Sequence, residues 1–248
     1  MNSVERIRQN VLSVQERIAE AALRVGRDPA SVTVVAVSKT FPASVVLDGY
    51  RAGLRHFGEN RPEEGAQKAP AVNAVVAGPP PTWHMVGHVQ SRKAELTVAH
   101  FDVVHSVDRS KIAQRLSRFA VETGRELAVL LECNVSGEST KHGFSLDRWQ
   151  QDDGQRTTFF TACAEVLALP GLRVLGLMTM APFVDDPQVV RPVFASLRAL
   201  RDALAERFPT TPWPELSMGM SDDFEVAVEE GATLVRIGRA LFGPRPTE

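Results

Sequence analysis

The sequence has little of what marks several specialised classes of protein. Its 248 residues include two cysteines, Cys133 and Cys163, which form no CxxC pair. Neither a disulfide framework nor a cysteine-ligated zinc site is therefore indicated, and reduced thiols in a cytoplasmic protein are the simplest interpretation. The first ten residues, MNSVERIRQN, contain no apolar signal core. No apolar run approaches the length of a membrane span.

The sequence also lacks an excess of charge of either sign. Lysine and arginine total 28 against 30 acidic residues, which gives a net charge of −2. This balance predicts neither a nucleic-acid partner nor a membrane partner. No P-loop, GxGxxG or HExxH motif is present. His84 and His88 are four residues apart, but in a strand-to-loop region that spacing does not put both on one face, so we expect no metal site.

What the chain does contain is a repeated alternation of strand-like and helix-like segments. Strands that alternate with amphipathic helices predict right-handed βαβ units and a parallel sheet. Eight such strands in about 250 residues fit an α/β fold of the (β/α)₈ TIM-barrel type, with a doubly wound open sheet as the alternative. A further helix, over residues 3–25, precedes the first strand, and the Pro- and Ala-rich segment 69–82 is expected to be a loop. We predict one domain over 1–248, with strands in segments 32–40, 56–60, 83–87, 103–108, 128–136, 173–180, 215–220 and 233–238.

The first strand runs into a lysine, in the stretch VTVVAVSKTFP. Active sites of such barrels lie at the carboxyl ends of the strands, which is where Lys39 falls. If the amine is partly desolvated, it can act as a nucleophile toward carbonyl groups. Its position alone favours a solvated loop lysine whose stem covers apolar surface.

The last two strands carry groups that suit an anion. Ser217 and Gly219 lie in a small-residue turn, and Ser221 is a suitable N-cap for the helix that follows. Small residues allow backbone N–H groups to approach a phosphate, although an ordinary capped helix explains the same pattern. Arg236 lies between apolar residues, where a guanidinium is costly unless a core carboxylate or a ligand accepts its hydrogen bonds. Gly238 permits close backbone approach.

Seven motifs, in order, resemble those of the YggS/PROSC family of pyridoxal 5′-phosphate (PLP) homeostasis proteins, whose fold is the barrel of the alanine racemase N-terminal domain. The resemblance covers nearly the whole chain, from about residue 4 to residue 243. The motifs are AVSKTFP, HFGENRPEE, WHMVGHVQSRK, HSVDRSKIA, LECNVSGESTKHGFS, GLMTMAP and SMGMSDDFEVAVEEGATLVRIGRALFG.

The resemblance implies roles for individual residues. Lys39 matches the lysine that holds PLP as an aldimine, and Arg236 matches the arginine that faces the pyridine nitrogen. Ser217 and the backbone of Gly238 match phosphate-binding positions, and Gly219 lies in the same turn. Three further residues match pocket positions: Asn60, His84 and Met178.

The sequence departs from the family pattern at two positions. Arg92 stands in VQSRK, where LQSNK is usual, and Arg239 stands in RIGRALFG, where RIGTAIFG is usual. The second change removes a hydroxyl and adds a cation beside the expected phosphate.

Three functions are compatible with this pattern. The first is PLP homeostasis, in which the chain holds PLP and passes it on, possible recipients being PLP-dependent apoenzymes. The second is a PLP-dependent amino-acid racemase of low or unknown activity, although racemases of this type take a second base, a tyrosine, from a second domain. The only tyrosine here, Tyr50, falls in a helix-like segment. The third is a barrel enzyme that acts on another phosphorylated substrate. Without the second domain's surface, we expect a monomer.

Overall fold

The strands of the barrel form where short runs of β-branched and apolar residues are bounded by polar turns. The protein is described by a computed structural model for residues 2–244. Its strands are β1 (Thr33–Val37), β2 (His56–Glu59), β3 (Thr82–Met85), β4 (Val103–Val107), β5 (Leu127–Asn134), β6 (Phe144–Ser145), β7 (Leu172–Met178), β8 (Glu215–Ser217) and β9 (Leu234–Ile237).

Helices occupy the connections between the strands. They are α1 (Ser3–Arg24), α2 (Ala43–Arg51), α3 (Pro62–Asn73), α4 (Ala94–His100), α5 (Ser110–Glu122), α6 (Asp153–Leu167), α7 (Arg191–Arg207), α8 (Phe224–Glu229) and α9 (Arg239–Phe242). Among residues 2–244, no helix combines the length and apolarity that are needed to cross a membrane.

Eight parallel strands close into a barrel. The order around the ring is β4-β3-β2-β1-β9-β8-β7-β5, and a β4–β5 pairing completes it. The predicted (β/α)₈ barrel is therefore confirmed, and the open sheet is excluded. All eight predicted strands are present, and β6 adds a two-residue pairing beside the end of β5. Because β1 pairs in register with β9, the first and last strands are neighbours, which brings their carboxyl ends together.

Two apolar cores stabilise the barrel. The larger one lies between the strands and the surrounding helices, while the smaller one fills the barrel interior. The interior core contains Val35, Leu130 and Met178, which are fully buried. The barrel is thus a packed plug rather than a pore, and a ligand has room only above the plug, at the strand ends.

The predicted N-terminal helix is also confirmed. Its buried stripe includes Ile7, Val14 and Ile18, at helical spacing. Ion pairs anchor α1 near α8: the guanidinium of Arg17 lies 2.6 Å from Glu225. The helix therefore packs on the outside of the barrel, next to α8.

Two local predictions were wrong. Segment 69–82 is not a loop throughout, because α3 continues to Asn73 with Pro70 inside it, where buried Val72 extends the helix's apolar stripe. Ser221 is not the N-cap of α8: the helix begins at Phe224, and the preceding Asp223 accepts a hydrogen bond from the backbone of Met220 at 2.6 Å. Residues 221–223 form a turn instead.

Candidate functional site

A cavity of about 500 Å³ opens at the carboxyl ends of β1, β2 and β9. Four residues predicted for the site line it: Lys39, Asn60, Arg236 and Gly238. The other lining residues are Val37, Phe41, Val86, Met180, Phe183, Met220, Ser221, Asp222, Arg239, Gly243 and Pro244. The cavity thus combines apolar walls with a few polar groups, which is typical of a small-molecule site.

Lys39 is half-buried and lies two residues beyond the end of β1. The next residue, Thr40, has a φ of +69°, which is unusual for a β-branched residue and costs free energy. The carboxylate of Glu64, on α3, accepts a hydrogen bond from the backbone N–H of Thr40 at 3.0 Å. This contact helps to hold the turn that orients the lysine.

Behind the lysine lies a buried ionic network. The Lys68 amine donates to the backbone oxygen of Ser38 at 2.9 Å, and it contacts the carboxylates of Glu59 at 2.9 Å and Glu64 at 3.0 Å. Ser38 also donates its hydroxyl to Glu59 at 2.7 Å. Burial raises the pKa of Glu59 to about 7, although Lys68 and Ser38 oppose the shift. The network ties both residues that flank Lys39 to α3.

Arg236 points from β9 into the top of the barrel and is 5% exposed. One arm of its guanidinium donates to the hydroxyl of Ser217 at 2.7 Å, and the other donates to the backbone oxygen of Thr179 at 2.9 Å. Burial lowers its pKa to about 10, while the carboxylates of Asp223 and Glu132 act in the opposite direction. A guanidinium with that pKa is still charged at neutral pH, so the cavity has a fixed hydrogen-bond donor at its base.

A file of three histidines crosses the barrel from Ser217. His105 Nδ1 lies 2.8 Å from the Ser217 hydroxyl oxygen, His84 Nδ1 lies 2.8 Å from His105 Nε2, and His56 Nδ1 lies 3.0 Å from His84 Nε2. Burial lowers the pKa of His84 to about 3 and that of His105 well below its usual value. Neutral rings in one tautomeric order then satisfy every contact: Arg236 donates to Ser217, and each group donates to the next.

The two glycines of the predicted site, Gly219 and Gly238, are required by the fold for different reasons. Gly219 has a φ of +91°, and a Cβ there would lie 2.6 Å from the side chain of Ala227, so it allows the turn to pack on α8. At Gly238 a Cβ would lie 3.2 Å from the backbone oxygen of Val37. Gly238 therefore permits the close approach of β1 and β9 beside the cavity, whereas Gly219 does not line it.

Ser221 and Arg239 line the polar side of the cavity. The Arg239 guanidinium forms an ion pair with Asp222, and both side chains are more than half exposed. The unusual arginine is thus paired with a carboxylate from the same side of the cavity.

The structure brings together only part of the predicted site. His84, Met178, Ser217 and Gly219 are buried beneath or beside the cavity and do not line it. Direct ligand contact by these four stays a prediction. Sequence reasoning identified Ser221 as a helix cap and missed it as a lining residue; its place after a small-residue turn was the available signal.

Tyr50 lies on α2 and does not line the cavity. Its hydroxyl donates to the backbone oxygen of Pro79 at 2.9 Å, and its ring packs against the guanidinium of Arg55. Among the described residues that line the cavity, the ionisable side chains are Lys39, Asp222, Arg236 and Arg239.

Residues 3–246 match the model of the family described as alanine racemase, N-terminal domain. A pyridoxal phosphate homeostasis protein of Pseudomonas aeruginosa is 45% identical over 96% of each chain. PipY of Synechococcus elongatus, solved with PLP bound, is 36% identical over 93% of this chain and all of its own, with a TM-score of 0.76. A Clostridium difficile alanine racemase shares the fold with a TM-score of 0.71 at 14% identity; the match covers 98% of this chain and 58% of that one.

Proposed function

This chain belongs to the pyridoxal phosphate homeostasis protein family, and from that premise we propose that it binds PLP covalently through Lys39 and takes part in PLP homeostasis. The observation that carries the proposal is the half-buried Lys39 in the wall of a cavity that also contains Arg236. Full-length likeness to relatives named for this function supports it.

The residues of the cavity fit the cofactor. PLP, when bound, supplies an aldehyde that a lysine amine can attach reversibly, and a conjugated ring that can withdraw electrons. Lys39 provides the amine, and the network around Glu59 and Lys68 fixes the turn that carries it. Ser221 and the Gly238 backbone provide polar groups for the phosphate end.

Arg236 limits what the site can do chemically. A guanidinium keeps its protons and only donates, so a ring nitrogen that faces it remains an acceptor. The ring is then a weaker electron sink than one with a protonated nitrogen. Ser217 and Thr179 hold the guanidinium in place, so this property is built into the barrel.

For the alternative, an amino-acid racemase, the described residues that line the cavity offer no second base without an ion-pair partner. The hydroxyl of Tyr50 is engaged with a loop elsewhere, and Asp222 is engaged with Arg239. Among the described lining residues, Asp222 is the one carboxylate and it is paired with Arg239, whereas racemisation by a two-base mechanism needs an available second group on the face opposite Lys39.

We place the protein in the cytoplasm as a monomer, with PLP-dependent apoenzymes as recipients of the cofactor. The exposure of the cavity supports transfer of PLP to another protein, because Phe183 in the cavity lining is 81% exposed to solvent. The single domain predicted for 1–248 is part of the same proposal, and its residues 1 and 245–248 lie outside the described ones.

The test is a titration of the purified protein with PLP, followed by its visible absorption. The wild-type protein is expected to develop the band of a lysine-bound cofactor, and Lys39→Ala is expected to lose it. Lys111→Ala, which alters an exposed lysine of α5, is the matched control and is expected to keep the band. A normal band in Lys39→Ala would contradict the proposal.

A further inference from the structure

Three side chains that can ligate a metal meet at the end of the barrel where the strands have their carboxyl ends. His88 follows β3, Asp108 follows β4, and His142 lies in the loop between β5 and β6. One donor atom from each lies within 4.8 Å of the other two. We propose that these residues form a binding site for one divalent transition-metal ion, with Zn²⁺ as the metal to test.

The contact between His88 and Asp108 is the first support. His88 Nδ1 lies 2.9 Å from an Asp108 oxygen, yet this nitrogen is buried and has no hydrogen-bond partner of acceptable geometry. A buried nitrogen without a hydrogen bond is costly. A metal ion that both atoms ligate would satisfy the nitrogen and the carboxylate together.

The arrangement of the second imidazole is an independent support. The rings of His88 and His142 stack with their centroids 4.0 Å apart and their planes 23° apart. Stacking keeps the His142 ring next to His88, with a donor atom within 4.8 Å of the other two, and the His142 ring has to turn for its nitrogen to point at the same ion. His142 is exposed, so its side chain can close the remaining distance; donor atoms around a tetrahedral Zn²⁺ are about 3.3 Å apart.

The surroundings suit metal binding. A neutral imidazole is the form that ligates a metal. The Asp108 side chain is 7% exposed, and its other oxygen is paired with Arg109, which orients the carboxylate as an outer partner does in known sites.

Two nitrogens and one carboxylate oxygen favour Zn²⁺ and its transition-metal neighbours over Mg²⁺ and Ca²⁺, which prefer oxygen ligands. Three protein donors leave a fourth position for water or another ligand. The cysteines do not compete, since both are buried and burial raises the pKa of Cys163 to about 12, so its thiol stays protonated.

The site was not expected from the sequence, because the spacing of His84 and His88 argued against it. His84 belongs to the interior histidine file. The fold instead brings His88 together with His142, which lies 54 positions later in the chain.

The experiment uses full-length protein without an affinity tag and measures Zn²⁺ by competition with a chromophoric chelator. One ion per chain is expected to bind. His142→Ala and His88→Ala are each expected to weaken binding by about tenfold or more, since each removes a ligand. His100→Ala, which alters a histidine at the end of α4, is the control and should bind as the wild type does.

Because His142 is exposed, its substitution leaves the fold intact, which circular dichroism can verify. Co²⁺ gives a second readout, since its visible spectrum reports ligand number and should change in His142→Ala but not in His100→Ala. No binding by the wild-type protein, or equal affinities for the wild type, His88→Ala and His142→Ala, would overturn the proposal.

Discussion

At the scale of single residues, Ser217 and Ser221 belong to one sequence motif but have different roles in the structure. Ser217 is fully buried between Arg236 and His105, while Ser221 lines the cavity. The motif SMGMSDD contains both serines, and nothing in the letters indicates which one faces a ligand. The positive φ of Gly219 decides it, because the chain turns there and changes direction.

The two serines can be distinguished with PLP and with pyridoxal, which lacks the phosphate. Ser221→Ala is expected to weaken PLP binding by about fivefold to tenfold and to leave pyridoxal binding unchanged, because a hydrogen bond to a charged group is lost. Ser217→Ala should instead reduce stability by about 1–3 kcal/mol, since Arg236 and His105 lose their shared partner. Equal effects of Ser221→Ala on both ligands would argue against a phosphate contact.

Glu132 gives a prediction about pH. Burial and the nearby Asp108 raise the pKa of this carboxyl to about 7, and Arg236 only partly opposes them. One of its oxygens is buried without a hydrogen bond. Between its ordinary value of 4.5 and pH 7, the folded protein holds this proton more tightly than the unfolded chain does, so the contribution of Glu132 to stability falls as the pH rises.

Glu132→Gln is therefore expected to gain stability relative to the wild type between pH 4.5 and 7, by an amount on the order of 1–3 kcal/mol that stays constant above pH 7. Urea unfolding across this range measures the difference. Glu122→Gln, at an exposed position of α5, serves as the control. A difference that does not change with pH would rule out the proposed titration.

At the scale of elements, α3 supports the turn that carries Lys39. Its Lys68 and Glu64 reach back to Ser38, Glu59 and Thr40, so helix and strand ends form one buried polar unit. The sequence indicated β2 and placed Glu59 at its end. It could not indicate that Glu59 would be fully buried and paired with Lys68, because that pairing depends on how α3 packs over β1 and β2.

Lys68→Met tests this unit. Removing the amine leaves the Glu59 carboxylate buried without its cation, which is expected to cost about 3–5 kcal/mol in the free energy of unfolding. The double variant Glu59→Gln/Lys68→Met removes both charges and should recover much of the loss. Urea unfolding measures both variants, and a loss under about 1 kcal/mol in Lys68→Met would show that the network contributes little.

By contrast, the alternation of strands and helices could be predicted from the sequence. All eight barrel strands and the N-terminal helix over 3–25 were predicted, because each strand is a compact apolar run and the helix has its own apolar stripe. The errors fell where side-chain interactions decide the outcome. They were the continuation of α3 through Pro70 and the turn before α8, where Asp223 rather than Ser221 is the cap.

At the scale of the whole molecule, barrel closure converts scattered strand ends into one site. Lys39 and Arg236 are 197 positions apart in the chain, yet the pairing of β1 with β9 puts both in one cavity. Closure also places the histidine file across the interior, where three side chains from neighbouring strands hydrogen-bond in series. The family resemblance assigned His84 to the pocket, and the sequence could not show which part of the interior the cavity reaches.

The whole-molecule arrangement also predicts weak catalysis. Tyr50 is hydrogen-bonded to Pro79 and does not line the cavity, and among the described lining residues the one carboxylate, Asp222, is paired with Arg239. We expect the PLP-loaded protein to show no robust racemisation of alanine by circular dichroism or a coupled assay. Turnover of many equivalents per minute would favour the racemase instead.

The central claim is that the amine of Lys39 is the covalent anchor for PLP. The most direct measurement is borohydride reduction of the PLP-loaded full-length protein, followed by proteolysis and mass spectrometry of the modified peptide. The account predicts one phosphopyridoxyl group per chain, on Lys39. A predominant adduct on Lys68, Lys93, Lys111 or Lys141, with Lys39 unmodified, would contradict it.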